Sequence, residues 1–269
     1  AKTIDVAGMV DLAFDHRRQF EELLDSLRGT ISFDLETTGL YPWAEDFDIT
    51  SVGFGTAAGE FVIPPPFHRE SPWTQDAFED MLEEIGEQLG DCIVVAQNGK
   101  YDYLCLWVRY GINWTEHHDF DTMLAHYILD ENSNHGLKFL AQLFCGAPDW
   151  DVDLDTKKGA GGLDRQALYH AHDLYYTRKL KSILDKKLAK DPDVKRVFDY
   201  ILMPAARLFT EIEYDGLYLD LDKFDDAEIY LRDQVAKAEK ELDKFTPKDR
   251  VDKRGRPVEF NWGSTKQLA

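Results

Sequence analysis

The run Ile31-Ser32-Phe33-Asp34-Leu35-Glu36 constrains this chain more than any other stretch. It reads as a short buried strand, yet it carries two acids that flank a single leucine. Side chains two apart on an extended backbone point to the same face, so Asp34 and Glu36 stand side by side. Carboxylates are strongly solvated, and two on one face repel each other. A fold that takes this strand into its interior must bring counter-charge to them. The natural partners are cations.

A chain of 269 residues, 43% hydrophobic and 13% aromatic, has material for one large domain or two modest ones. Cys92, Cys105 and Cys145 lie in apolar contexts without Cys-x-x-Cys spacing, which reads as reduced thiols rather than disulfides or zinc ligands. No apolar run reaches the length of a membrane span, and the N-terminus lacks a basic-then-apolar signal pattern. A soluble, cytoplasmic protein with no membrane partner is therefore expected. The net charge of −20, taken alone, argues against nucleic acid as a partner. Its distribution changes that reading. Residues 1–150 carry 8 Lys+Arg against 27 Asp+Glu, which leaves 23 against 24 for residues 151–269 out of the totals of 31 and 51. An acidic front and a locally basic tail, densest at 248–257, suggest two parts with different tasks.

Strand patterns recur at 48–56 and 60–66 and make a meander with the first strand. Residues 74–90 read as an amphipathic helix closed by Gly90, 91–98 as a buried strand, and 99–111 as a helix ended by Gly111. Short helices follow at 121–130 and 135–144, then a long one over 164–190. This order predicts an α/β fold: a mixed sheet flanked by helices, followed by a helical segment. Pro192 breaks the long helix, so a domain of residues 1–190 is expected before a second part, 191–269. That second part has helical patterns at 194–214 and 222–245.

Two further places offer acids to the pair on the strand. Asp102 follows the 91–98 strand, where an open sheet presents its crevice at strand C-terminal ends. Tyr169 and Asp173 are four apart on the long helix and share one face. Asp34, Glu36, Asp102 and Asp173 can together enclose a pair of hard divalent cations. All-oxygen ligation suits Mg²⁺ or Mn²⁺ rather than zinc. Two such ions, about 3.5–4 Å apart, clamp the attacking and leaving oxygens of a phosphoryl centre. Taken singly, each acid is an ordinary surface charge in a chain with 51 of them. The combination, in this order and spacing, is the signal.

The segments Phe-Asp-Leu-Glu-Thr-Thr-Gly-Leu (33–40), Gln-Asn-Gly-Lys-Tyr-Asp (97–102) and Leu-Tyr-His-Ala-His-Asp (168–173) resemble the three motifs of the DEDD 3′→5′ exonucleases. The Tyr169-x-x-x-Asp173 spacing resembles their tyrosine-bearing subgroup, which includes the proofreading domain of family A (Klenow-type) DNA polymerases and the RNase D-like enzymes. Residues 208–224 and 260–269 are similar to the family A segment leading from the exonuclease domain into the polymerase domain, and 121–130 and 135–144 also look like that family. The resemblance covers residues 30–269. It implies a ribonuclease H-like fold and metal-dependent removal of mononucleotides from single-stranded or frayed 3′ ends of DNA. It also implies a proofreading role beside a polymerase domain in cis, of which 191–269 would be the first, helical part. Polymerisation by this chain alone is not implied, because the palm aspartates of that family would lie beyond residue 269. The alternatives are an RNase D-like exoribonuclease and a non-catalytic scaffold that binds primer ends. A scaffold should have lost metal-binding acids, and all four are present.

By the same resemblance, Asp34, Glu36 and Asp173 would hold one ion, Asp34 would bridge to a second, and Asp102 would bind that second ion directly or through water. Tyr169 and Glu36 would orient the attacking water. A tyrosine with an ordinary pKa of about 10 is a weak base, so orientation suits it better than proton abstraction. Thr37 and Leu40 would meet the substrate, Leu40 wedging against the terminal base while Gly39 permits close backbone approach. Asn98 and Tyr101 would contact the terminal nucleotide or hold the site in shape, and Asn98 reads equally as a turn residue. His170 and His172 lie about 200° apart on a helix and cannot both face the metals. His117 and His118 read as solvated loop residues, and the six tryptophans as packing residues.

Overall fold

The computed structural model describes residues 10–12, 16–66, 71, 73–150, 163–246 and 260–268. These form two compact units, Ala1–Gly216 and Leu217–Ala269. The basic cluster at 248–257 lies outside the described residues. No helix among the described residues is long and apolar enough to cross a membrane.

The first unit is built on a six-stranded sheet of order β1-β4-β3-β2-β5-β6. The strands are β1 (Val10–Leu12), β2 (Gly29–Thr37), β3 (Ile49–Gly55), β4 (Glu60–Ile63), β5 (Cys92–Ala96) and β6 (Phe120–Asp121). Central β2 pairs antiparallel with β3 and parallel with β5, which makes the sheet mixed. The period of two along β2 decides what each face meets. Ile31, Phe33 and Leu35 are buried in the main core with Phe78, Leu82 and Ile85 of α2 (Gln75–Leu89) and Tyr103 and Leu106 of α3 (Lys100–Tyr110). The Phe33 ring lies 5.2–5.6 Å from the rings of Phe54, Tyr103 and Trp114.

The opposite face carries Ser32, Asp34 and Glu36, in register with Gly55, Gly53 and Ser51 of β3. The long helix α6 (Leu163–Leu188) lies against this face. A Cβ on Gly53 would sit 2.4 Å from His170 Nε2 and 2.7 Å from Leu174 Cδ1, and one on Gly55 would sit 2.3 Å from Ser32 Oγ. The side-chain-free positions on β3 thus let α6 settle onto the sheet. Ser32 Oγ donates to the Leu174 carbonyl at 2.7 Å, tying strand to helix.

Helices α1 (His16–Ser26), α4 (Thr122–Leu129) and α5 (Leu137–Cys145) complete the packing around the sheet. Asp121 is the N-cap of α4, accepting from the Met123 and Leu124 amides, and it also accepts from the amides of Asn98 and Gly99. One buried carboxylate therefore caps α4 and fixes the turn that launches α3. His118 Nε2 lies 3.2 Å from Asp121 Oδ2, and the imidazole is fully buried. The expectation of a solvated His118 is corrected: Asp121 needs a buried polar partner, and His118 is that partner.

The predicted helix at 194–214 is three pieces: α7 (Pro192–Val197), a π-helical turn at Phe198–Leu202, and α8 (Met203–Asp215). Pro204 has no N–H to give to the preceding turn, and the widened turn sits just before it. Phe198 packs on Phe120 at 5.0 Å, Arg207 Nε donates to the His118 carbonyl at 3.0 Å, and Tyr214 stacks on Trp107 at 3.8 Å. Residues 192–215 accordingly pack within the first compact unit, which runs to Gly216. The second unit contains α9 (Leu221–Asp243), capped by Asp220, and the short α10 (Thr265–Leu268).

Candidate active site

Asp34, Glu36 and Asp173 each present a carboxylate oxygen, and these oxygens lie within 4.8 Å of one another. β2 delivers the first two on its α6-facing side, and α6 delivers the third. The β2–β3 register shifts between Glu36 and Thr37, so the ladder is interrupted directly after the second acid. Asp173 is 8% exposed. Burial, then the charges of Asp34 and Glu36, push its carboxyl up to about 8. Three carboxylates crowded this closely repel one another, and an all-oxygen donor set of this kind fits Mg²⁺ or Mn²⁺.

Asp102 stands beside the triad rather than within its tightest group. It sits in the first turn of α3, is 4% exposed, and accepts the Leu35 amide at 3.2 Å. Burial, then the charge of Asp34, raises its carboxyl well above the usual range. The structure therefore gathers three of the four expected acids into one cluster and places the fourth against the backbone between Asp34 and Glu36.

Several neighbours hold the acids in place. His170, fully buried one turn before Asp173, places Nε2 3.2 Å from Asp34 Oδ2 and Nδ1 2.8 Å from Ser51 Oγ. Burial acts to lower its pKa, yet the hydrogen bond to Asp34 and the surrounding carboxylates leave it raised. Trp150 Nε1 donates to Asp173 Oδ1 at 2.7 Å, and its ring stacks on His172 and Tyr176. Trp150 is thus not a packing residue alone. Tyr169 receives a hydrogen bond from Lys138 Nζ at 2.5 Å.

Of the expected substrate residues, Thr37 and Tyr101 meet at the end of β2, and Leu40 lies in the loop that follows. The Tyr101 hydroxyl donates to the Gly39 carbonyl at 2.5 Å and lies 2.9 Å from Thr37 Oγ1. These bonds fix the loop that displays Leu40, which is 77% exposed. Asn98 has φ of 60°, its amide donates to Asp121, and its carbonyl accepts from the Tyr101 amide. Its backbone is that of a turn residue.

With this geometry established, comparison with known proteins places the chain. The model of the 3′-5′ exonuclease domain of family A DNA polymerases matches residues 12–189, and the chain belongs to that family. It is 26% identical over 227 residues to DNA polymerase I of Borreliella burgdorferi, covering 81% of this chain and 24% of that one. It is 25% identical over 261 residues to the DNA polymerase of Escherichia phage T5, covering 89% and 30%. The chain thus spans about a quarter of the length of these curated relatives. Among solved structures, Brucella melitensis NrnC bound to pGG aligns with a TM-score of 0.56 at 19% identity, over 72% of this chain and 89% of that one. The catalytic core of RRP6 from Trypanosoma brucei aligns with a TM-score of 0.54 at 15% identity, over 75% and 51%. The fold is that of the ribonuclease H-like exonucleases.

Sequence reasoning missed His170, Lys138 and Trp150. His170 had a signal, since it sits three residues before Asp173 and so shares its helix face. Lys138 and Trp150 had none, because their contacts are made across the chain.

Proposed function

We propose that this chain is the metal-dependent 3′→5′ exodeoxyribonuclease part of a family A DNA polymerase, releasing nucleoside monophosphates from single-stranded or frayed DNA 3′ ends as a proofreader. The observation that carries this is the convergence of Asp34, Glu36 and Asp173 within 4.8 Å, with Tyr169 one turn before Asp173. Those three carboxylates, with Asp102 alongside, would hold two Mg²⁺ or Mn²⁺ ions. When bound, the ions supply Lewis acidity at the phosphoryl centre and make water easier to ionise.

The chain's own residues supply the rest. Asp34 and Glu36, fixed by the sheet, and Asp173, fixed by Trp150 and α6, give the negative charge that draws in the cations. Tyr169 would orient the attacking water or the terminal phosphate rather than carry the proton away. Leu40, held out by the Thr37–Tyr101–Gly39 bonds, would lie against the terminal base, and Asn98 would shape the turn beneath it. Recognition of this kind uses stacking and backbone contacts and reads no sequence.

Residues 1–190 would be the exonuclease domain and 191–269 the opening helical part of a polymerase domain in cis, working in the cytoplasm. The support is that the family match ends at 189 while the relatives are much longer. The named relatives in sequence are DNA polymerases, which favours DNA over RNA.

The test is a comparison of single-stranded DNA, a mispaired 3′ end, a matched duplex, and single-stranded RNA of the same sequence, each with Mg²⁺. Unpairing costs a few kcal/mol that a mismatch has already supplied. Single-stranded and mispaired DNA should be degraded faster than matched duplex. RNA degraded faster than DNA would replace this reading with the RNase D-like one.

A further inference from the structure

Lys138 is the second residue of α5, which packs on α6 through the buried Leu140 and Ala141. That packing brings Lys138 Nζ to 2.5 Å from the Tyr169 hydroxyl and 4.4 Å from the centre of its ring. The same ammonium lies 5.9 Å from the centre of the Trp150 ring, whose N–H is bonded to Asp173. An ammonium has three hydrogens to give and no lone pair with which to accept. In this contact the Tyr169 oxygen is therefore the acceptor, and the phenol's own hydrogen turns toward a different acceptor.

We propose that Lys138 is a positioning residue that fixes Tyr169 as a hydrogen-bond donor toward the reacting oxygens at the carboxylate cluster. Its effect on turnover rests on the exonuclease reading; the contact itself does not. A donor aimed from α6 suits either a phosphate oxygen or the water beside it.

The test uses the whole chain, with Lys138→Met, Lys138→Arg, Tyr169→Phe and the Lys138→Met/Tyr169→Phe pair. Tyrosine labelled with ¹³C at Cζ gives one resonance that vanishes in Tyr169→Phe and so reports Tyr169. It should move in Lys138→Met and return toward the wild-type position in Lys138→Arg. Turnover of single-stranded DNA should fall in Lys138→Met and in Tyr169→Phe, by an amount in the range of about 10²–10⁴-fold typical of a lost orienting group, and should be largely kept in Lys138→Arg. The double variant should be no slower than the slower single, because both changes remove one device. Binding of the same DNA without metal should keep the wild-type affinity in Lys138→Met.

Three results overturn the proposal. One is a Tyr169 resonance that does not move. Another is a double variant whose loss is the product of the two single losses. The third is weaker metal-free DNA binding with a shallower salt dependence, which would make Lys138 a phosphate contact. A wild-type protein inert on every substrate would sink the exonuclease reading and the catalytic role of Lys138 together, while the resonance would still decide the contact.

Discussion

His170 joins three elements through one imidazole: Nε2 lies 3.2 Å from Asp34 Oδ2 on β2, and Nδ1 lies 2.8 Å from Ser51 Oγ on β3, while the ring belongs to α6. The space it occupies exists because Gly53 has no side chain; a Cβ there would lie 2.4 Å from Nε2. Gly53→Ala should therefore push α6 from the sheet and destabilise the first unit by roughly 1–3 kcal/mol, as overpacking does. Exonuclease turnover should fall with it, since Asp34 and Asp173 would no longer meet. Chemical unfolding and a turnover assay on this variant check both parts. An unchanged midpoint would show that the imidazole is not held between strand and helix.

The buried acids set a pH dependence for the metal-free protein. Asp173 is pushed up to about 8 and Asp102 well above its ordinary value. Between about pH 4, where carboxyls of an unfolded chain ionise, and pH 8, the folded protein keeps protons that the unfolded chain has released. Stability therefore falls as pH rises across that window. His170, also raised, adds in the same direction above its unfolded value of about 6.5. Thermal unfolding in EDTA should give a lower Tm at pH 8 than at pH 5, and Asp173→Asn should flatten that slope. Added Mg²⁺ should raise Tm more at pH 8 than at pH 5, because the ligands must be ionised to bind.

Asp102 has a structural task as well as its expected metal-binding one. Its Oδ1 accepts the Leu35 amide, a buried bond spanning 67 residues of sequence. Asp102→Asn keeps an acceptor there and loses the charge, whereas Asp102→Ala leaves the amide bare, at a cost of about 1–3 kcal/mol. Both variants should lose most turnover, yet only Asp102→Ala should unfold clearly earlier. Equal midpoints for the two would show that the hydrogen bond adds nothing to stability.

Tyr169 and Asp173 separate helper from ligand. Asp173→Ala removes a charge from the cluster and the acceptor of the Trp150 N–H, so metal binding and turnover should both collapse. Tyr169→Phe keeps the ring under Lys138 and loses only the hydroxyl, so Mn²⁺ binding by calorimetry should persist while turnover drops about 10²–10⁴-fold. Normal turnover in Tyr169→Phe would make Tyr169 a packing residue.

The parts of this fold visible in the sequence are those set by local pattern. The period of two in β2, the glycine stop at Gly111 and the long run of α6 are each read directly, and their bounds fall within two residues of those expected. The acids of the site were legible because spacing alone puts Asp34 with Glu36 and Tyr169 with Asp173. The two-residue β6 and three-residue β1 were not, because strands so short depend on the neighbour that pairs with them. The π-helical turn before Pro204 has a sequence cause that the helical periodicity masked. His118 illustrates a different limit. Flanked by polar residues it looks solvated, and only the fold shows that Asp121 draws it inside.

Directionality and metal dependence are read together by incubating the chain with one single-stranded DNA labelled at its 3′ end in one reaction and at its 5′ end in another, with Mg²⁺ or with EDTA. A metal-dependent 3′→5′ exonuclease gives immediate release of the 3′ label as a mononucleotide, a ladder of shortening products from the 5′-labelled strand, and neither in EDTA. Release of the 5′ label as a mononucleotide while the 3′ end stays intact, or equal degradation in EDTA, would contradict it.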